Sequence, residues 1–251
     1  MNAKIRGFLL GPFRLECDGQ RVAAFKSNKV RALFAYLVAE RDQPHHRDVL
    51  AGLLWPRSSN SSALALLRDA LSNLRALLGD RAAETPYIAV VQDTLQFRLH
   101  DAGWFDIAAF TAATVPDADL STLEDAVTLY RGDFLEGFSL SKAPDFEAWL
   151  LLQREAYRRA QQQALYQLTT HYLQVSNYPL AQATARRQLE LDIYAEEAHR
   201  QLLRALALNG KRNQALQHYM EYRSLLSEEL GVAPDVRTTA LYQRICDHRL
   251  T

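Results

Sequence analysis

Residues 64–79, LALLRDALSNLRALLG, and residues 87–99, YIAVVQDTLQFRL, decide how this chain is read. In the first stretch Leu64, Leu67, Leu71, Leu74 and Leu78 recur at alternating three- and four-residue steps, which places them on one face of a helix. Gly79 follows where a left-handed C-cap residue ends a helix. In the second stretch Tyr87–Val91 and Thr94–Leu99 read as strands around Gln92-Asp93, which predicts a hairpin.

Towards the N-terminus two more helices are expected. Val30, Leu33, Phe34, Leu37 and Val38 share one helix face, with Ser27 or Asn28 as cap. Gln43-Pro44 breaks the chain, and Val49, Leu50, Leu53 and Leu54 mark a shorter helix that stops before Trp55-Pro56. Residues 57–62, RSSNSS, form a polar loop. The first 25 residues read as strands, Ile5–Leu10 and Phe13–Cys17, then the turn signal Asp18-Gly19 and a short strand near Arg21-Val22. Strands, three helices and a hairpin in that order are the layout of a winged helix-turn-helix, assigned to residues 1–103.

Beyond Trp104 the strands are expected to end. Residues 104–251 read as helix after helix, with breaks at Val115-Pro116, Gly132 to Gly137, Pro144, Asn177 to Pro179, Asn209-Gly210 and Gly231 to Pro234. A shift of 34 residues aligns Ala164 with Ala198, Leu168 with Leu202, Ala181 with Ala215 and Leu191 with Leu225, and the turns Ser176-Asn177 and Gly210-Lys211 keep the register. That is the tetratricopeptide period, in which each helix pair buries its face by stacking on its neighbours. The expected fold class is mainly α, a winged helix-turn-helix with small β-sheets followed by an all-α, tetratricopeptide-like domain.

Composition narrows the classes. Of 251 residues, 48% are hydrophobic and 23% charged, which excludes disordered, collagen-like and purely coiled-coil chains. Cys17 and Cys246 make no disulfide framework, and the N-terminal apolar run Phe8-Leu9-Leu10 is too short for a signal peptide, so a cytoplasmic protein is expected. The longest stretch free of charged residues, Gln161 to Ala185, is rich in Gln, Thr, Asn and His, so no membrane span or membrane partner is expected. Net charge is zero, yet residues 1–100 carry 14 Lys and Arg against nine Asp and Glu, and residues 101–251 carry 15 against 20. Such asymmetry points to a nucleic-acid-binding segment joined to something else. The acidic second half is expected to stay off DNA and to suit self-association with a basic half or a basic partner.

Enzyme signatures are missing. The ten glycines permit no GxGxxG, GxSxG or P-loop, and no histidine opens HExxH. His45-His46 is expected to be a cap or surface feature in a polar turn, not a metal site. No catalytic group, metal or cofactor is assigned.

Four blocks in order resemble one family, the Streptomyces antibiotic regulatory protein (SARP) type of transcriptional activator. They are Leu10-Gly11-Pro12-Phe13 with Asp18-Gly19, residues 66–80 (LLRDALSNLRALLGD), Tyr130 to Leu135 (YRGDFL), and residues 196–235 with ALQHYMEYR and the closing ELGVAPD. The resemblance implies a response-regulator-like winged helix followed by a bacterial transcriptional activator domain. It also implies binding to double-stranded DNA at promoters with repeated sites, contact with RNA polymerase, and a homodimer on direct repeats.

The site is expected on the third helix. With its leucines inward, Arg68, Asp69, Ser72, Asn73, Arg75 and Ala76 point elsewhere; Arg suits guanine, Asn adenine and Ser either. The resemblance places Asp69, Ser72, Asn73 and Arg75 at DNA-contacting positions. Asp69 repels phosphate but suits cytosine N4. Phosphate contacts are expected from Lys26, Lys29, Arg31 and Arg57. The wing tip, Gln92, Asp93 and Thr94, resembles the family's minor-groove probe but carries no Arg, and Arg98 lies further down the hairpin as a backbone contact. The competing class is a protein-interaction scaffold whose winged helix and repeat groove dock protein partners.

Overall fold

The computed structural model describes residues 4–81, 83–100, 103–115 and 118–249. The chain packs into two compact units, residues 1–115 with 128–157, and residues 116–127 with 158–251.

In the first unit β1 (Ile5–Phe8) pairs antiparallel with β3 (Arg14–Cys17), which pairs with β4 (Gln20–Arg21). Asp18 and Gly19 both adopt left-handed backbone, φ 49° and 78°, as a tight two-residue hairpin turn requires. On the far side of β1, β8 (Gly103–Phe105) adds in parallel, giving the order β4-β3-β1-β8. The helical trio is α1 (Asn28–Ala39), α2 (Arg47–Leu54) and α3 (Asn60–Leu77), followed by the hairpin β6 (Ile88–Val91) and β7 (Thr94–Phe97). Ser27 occupies the N-cap of α1, but its side chain makes no capping hydrogen bond. Phe34 of α1 gathers the core: its ring lies 6.0 Å from Phe97, 5.9 Å from Phe105 and 6.1 Å from Phe13, all at tilted or edge-on angles.

Three features depart from the sequence reading. His45-His46 is a strand, β5, that pairs with β7 and widens the wing to three strands. His45 is buried, donates to the Glu40 carbonyl at 2.8 Å and meets Tyr36 edge-on, so it is a structural residue, while His46 is exposed and stands at the N-cap of α2 as expected. Strands also continue past Trp104. Besides the end of β8, β9 (Phe134–Glu136) pairs in parallel with β2 (Gly11–Pro12). Strands of two or three residues are too short to show a period. Finally, the helical run from Tyr178 breaks at residues 192–195, where the Asp192 carboxylate accepts the Tyr194 N–H at 2.9 Å and turns the chain.

The remaining helices are α4 (Asp106–Ala113), α5 (Leu120–Leu129), α6 (Pro144–Gln174), α7 (Tyr178–Leu191), α8 (Glu196–Leu208), α9 (Arg212–Glu229) and α10 (Val236–Cys246). The 34-residue repeat has a geometric counterpart. Ser176 and Gly210 are both left-handed, φ 59° and 73°. The next amide in each turn closes it in the same way, Asn177 to the Tyr172 carbonyl at 2.8 Å and Lys211 to the Leu206 carbonyl at 2.9 Å. Leu165, Leu168, Tyr172 and Ala181 form one apolar cluster, and Leu202, Leu206, Ala215 and Tyr219 the next.

Two of the sequence blocks meet in the first unit. Asp106, only 1% exposed, accepts the Leu9 N–H at 2.8 Å, the Leu10 N–H at 3.0 Å and its own helix's Ile107 N–H at 2.8 Å. Arg131 of the YRGDFL block reaches the same carboxylate at 3.2 Å. Gly11 donates to the Asp133 carbonyl at 3.0 Å, and a Cβ on Gly132 would lie 3.3 Å from the Gly11 Cα, so these blocks are joined backbone to backbone.

Candidate nucleic-acid interface

The recognition-helix candidate is α3. It starts at Ser59, whose hydroxyl accepts the Ser62 N–H at 3.4 Å. Ala63, Leu67, Ala70, Leu71 and Leu74 are buried, and Leu78 just beyond the helix is buried too. Leu64, expected in the stripe, is only half-buried, and Ala63 and Ala70 take the close contacts. The outward face runs Ser61, Ala65, Arg68, Asp69, Ser72 and Ala76, all exposed.

The other two expected reading residues are engaged inside the protein. Asn73 is half-buried, and its side-chain oxygen accepts the Lys26 N–H at 3.1 Å. It ties α3 to the chain entering α1. Arg75 is half-buried, and its Nε is buried without a hydrogen-bond partner. Its charge acts on Asp80, a buried carboxylate that accepts the Tyr87 and Ile88 N–H groups at 2.8 and 2.9 Å. Burial pushes the Asp80 carboxyl up from its ordinary range, while those two N–H groups and the Arg75 cation oppose the rise. The Asp80 carboxylate thus joins the end of α3 to the wing.

The flanking cations fall into two groups. Lys26 and Arg57 are exposed, Arg57 in the loop between α2 and α3. Lys29 is half-buried with its ammonium 5.1 Å from the Trp55 ring centre; desolvation, then the Lys142 charge, lowers its pKa. Arg31 is turned towards a different cleft. It donates to Asn28 at 3.1 Å, lies over Phe25 and lines that cleft with Phe13, Arg14, Arg21 and Glu136. In the wing, Gln92 is exposed and left-handed at φ 50°, and the Thr94 hydroxyl is spent on the Val91 carbonyl at 2.8 Å. Arg98 is exposed, while its N–H donates to the Tyr87 carbonyl at 2.7 Å.

A cleft of about 250 Å³ separates α2, α3 and the wing, and it brings Arg68 together with Arg47, Asp48 and Asp93. Arg47 opens α2, donates its N–H to the Asp93 carbonyl at 2.9 Å and has a buried, unpartnered Nε. Arg81 donates to the Ser72 hydroxyl at 2.7 Å. Sequence reasoning missed both. Each lies just outside a helical stripe, Arg47 before Leu50 and Arg81 after Gly79-Asp80, where periodicity gives no direction to a side chain. Among the described residues no group of three or more His, Cys, Asp or Glu is placed to hold a metal ion. No helix among them is long and apolar enough to cross a membrane.

A family model described as the bacterial transcriptional activator domain matches residues 106–246. The chain belongs to that family. Its relatives are transcriptional regulators. The transcriptional regulatory protein MoaR1 of Mycobacterium tuberculosis is 24% identical over 250 residues, covering 94% of this chain and 78% of MoaR1. EmbR of the same organism, also a transcriptional regulatory protein, is 26% identical over 249 residues, covering 94% of this chain and 62% of EmbR. The regulatory protein AfsR of Streptomyces coelicolor is 28% identical over 257 residues, covering 96% of this chain and 24% of AfsR. These relatives uphold the resemblance to SARP-type activators. A solved structure of M. tuberculosis EmbR in complex with a low-affinity phosphopeptide superposes with a TM-score of 0.73 at 24% identity, over 98% of this chain and 66% of that one. The activator-domain family and this winged-helix and repeat fold thus stand together in one chain.

Proposed function

We propose that this chain is a sequence-specific DNA-binding regulator of transcription, an activator that binds direct repeats in promoters as a homodimer and contacts RNA polymerase. Residues 1–103 act as the winged helix-turn-helix DNA-binding domain and residues 104–251 as the activator domain. The observation that carries the reading is the exposed Arg68, Asp69 and Ser72 face of α3, bordered by the β6–β7 wing, in the half of the chain with excess positive charge. Arg68 reads guanine, Asp69 accepts from cytosine N4 and Ser72 serves either base. Lys26, Lys29 and Arg57 position the duplex through its phosphates. Asn73 acts on the same face indirectly, by fixing α3 to the chain entering α1.

The test is selection of bound genomic fragments by full-length protein, wild type against Arg68→Ala/Asp69→Ala. Directly repeated motifs enriched only by the wild type are expected. Affinity for them falls with salt with a log–log slope of roughly −4, from about four phosphate contacts, those of Lys26, Lys29, Arg57 and the exposed Arg98. A folded protein that enriches nothing at low salt overturns the reading and moves the search to protein partners.

A further inference from the structure

The second unit holds a cleft whose charge is opposite to that of its half of the sequence. Tyr178 at the start of α7, the helix α8 and the helix α10 enclose about 530 Å³, lined by Tyr178, Leu208 and Leu241 with Glu197, Arg200, Arg204, Arg237 and Arg244. Four arginines face one glutamate there, although residues 101–251 carry more Asp and Glu than Lys and Arg.

The arginines are not equivalent. Arg200 is engaged: it pairs with Glu197, donates to the Thr238 hydroxyl at 3.2 Å and lies 3.9 Å from Asp235. Glu196, just outside the cleft, accepts from the Asp235 N–H and the Thr238 hydroxyl, both at 2.6 Å. That end is a closed ion-pair network joining α8 to α10. Arg204, Arg237 and Arg244 are exposed and have no acidic partner among the described residues. Arg237, Leu241 and Arg244 sit at i, i+4 and i+7 on one face of α10, so the two guanidinium stems rise about 10 Å apart with an apolar side chain between them. Across the cleft Arg204 and Leu208 repeat the pairing of cation and leucine at i, i+4 on α8.

We propose that this cleft is a docking site for an acidic peptide segment of a partner protein. The segment places an apolar side chain over Leu208 and Leu241, and its carboxylates flank that side chain to meet Arg204, Arg237 and Arg244. Guanidinium forks favour carboxylates through paired N–H···O bonds. The leucine floor favours a peptide over a free anion. This interaction is separate from the α3 face and stands or falls independently of DNA binding.

The experiment is fluorescence anisotropy with the full chain and a fluorescein-labelled synthetic peptide of twelve residues made of Asp, Glu, Leu and Phe. A matched peptide carries Asn and Gln in place of the acids. The acidic peptide is expected to bind at least about tenfold more tightly than its carboxamide twin, and to weaken as salt rises. Arg204→Gln/Arg244→Gln is expected to lower its affinity about tenfold, whereas Arg223→Gln, the loss of one exposed charge on α9 outside the cleft, changes it less than about twofold. Equal binding of the two peptides by the wild type overturns the proposal without any variant, as does equal weakening by Arg223→Gln. Displacement of the peptide by random-sequence duplex DNA, equally from wild type and from Arg68→Ala/Asp69→Ala, also overturns it, because the cleft then holds phosphate.

Discussion

In the first unit Asp80 and Asp106 each receive two successive backbone N–H groups at the edge of a short strand, Tyr87 and Ile88 for one, Leu9 and Leu10 for the other. In the second unit, among the described residues, no carboxylate is buried, and the buried polar contacts among α6, α7 and α8 run through neutral side chains. Thr169 donates to Thr184 at 2.8 Å; Gln188 donates to Thr169 and to Gln201, both at 2.9 Å; Gln201 donates to Thr170 at 2.9 Å. The difference follows from backbone chemistry. Strands of two to four residues leave amides that their neighbours cannot satisfy, and a carboxylate accepting two of them offsets part of its own desolvation. Helices satisfy their own amides, so buried polar side chains there need only each other.

The largest test of this contrast is Asp106→Ala. It strands the Leu9 and Leu10 amides and removes the partner of Arg131, and is expected to destabilise the protein by about 3–4 kcal/mol in urea unfolding. A loss under about 1 kcal/mol would mean that the strand ends do not depend on the clamp. Gln188→Leu should cost less, about 1–3 kcal/mol, by leaving Thr169 and Gln201 without a donor. In a double-mutant cycle with Gln201→Leu the two losses should fall short of their sum; strict additivity would show that the glutamines act separately.

The smallest effect is set by pH. His199 donates from Nε2 to the Ile193 carbonyl at 2.9 Å, so its Nδ1 is the acceptor for His218 Nε2, also at 2.9 Å. Tyr222 stacks on His199 with ring centres 3.6 Å apart. Burial, then the neighbouring His199, lowers the His218 pKa to about 4, against the pull of Glu221 and with that of Arg186. The unfolded chain therefore binds more protons than the folded one between about pH 6.5 and 4. The stability present above pH 6.5 should fall by on the order of 1–2 kcal/mol as pH drops through that window. His218→Phe should flatten this dependence; an unchanged profile would place the sensitivity elsewhere.

The helical trio, the C-cap of α3 and the 34-residue period were legible because apolar spacing and turn residues are local signals, whereas the break at residues 192–195 was not. Gly79 ends the helix it was expected to end, and the Ser176 and Gly210 turns match in backbone as they do in sequence. The short strands β5 and β9 were not legible, since two or three residues carry no period and their partners lie far along the chain. For α3 the sequence marked which residues leave the leucine stripe, but not where they go. Arg68, Asp69 and Ser72 reach solvent, while Asn73 turns to Lys26 and Arg75 is half-buried.

Residue type and spacing along the chain were enough for the helical trio and its hairpin, the repeat, the uneven charge and the family blocks. The packing of residues 128–157 with the N-terminal elements, and the joining of two of those blocks by Asp106, came from the folded chain alone. It alone decided that the acidic half holds a basic cleft. The physical reason is the same in each case. Burial and local charge depend on which distant segments meet, and a count along the chain averages over those meetings.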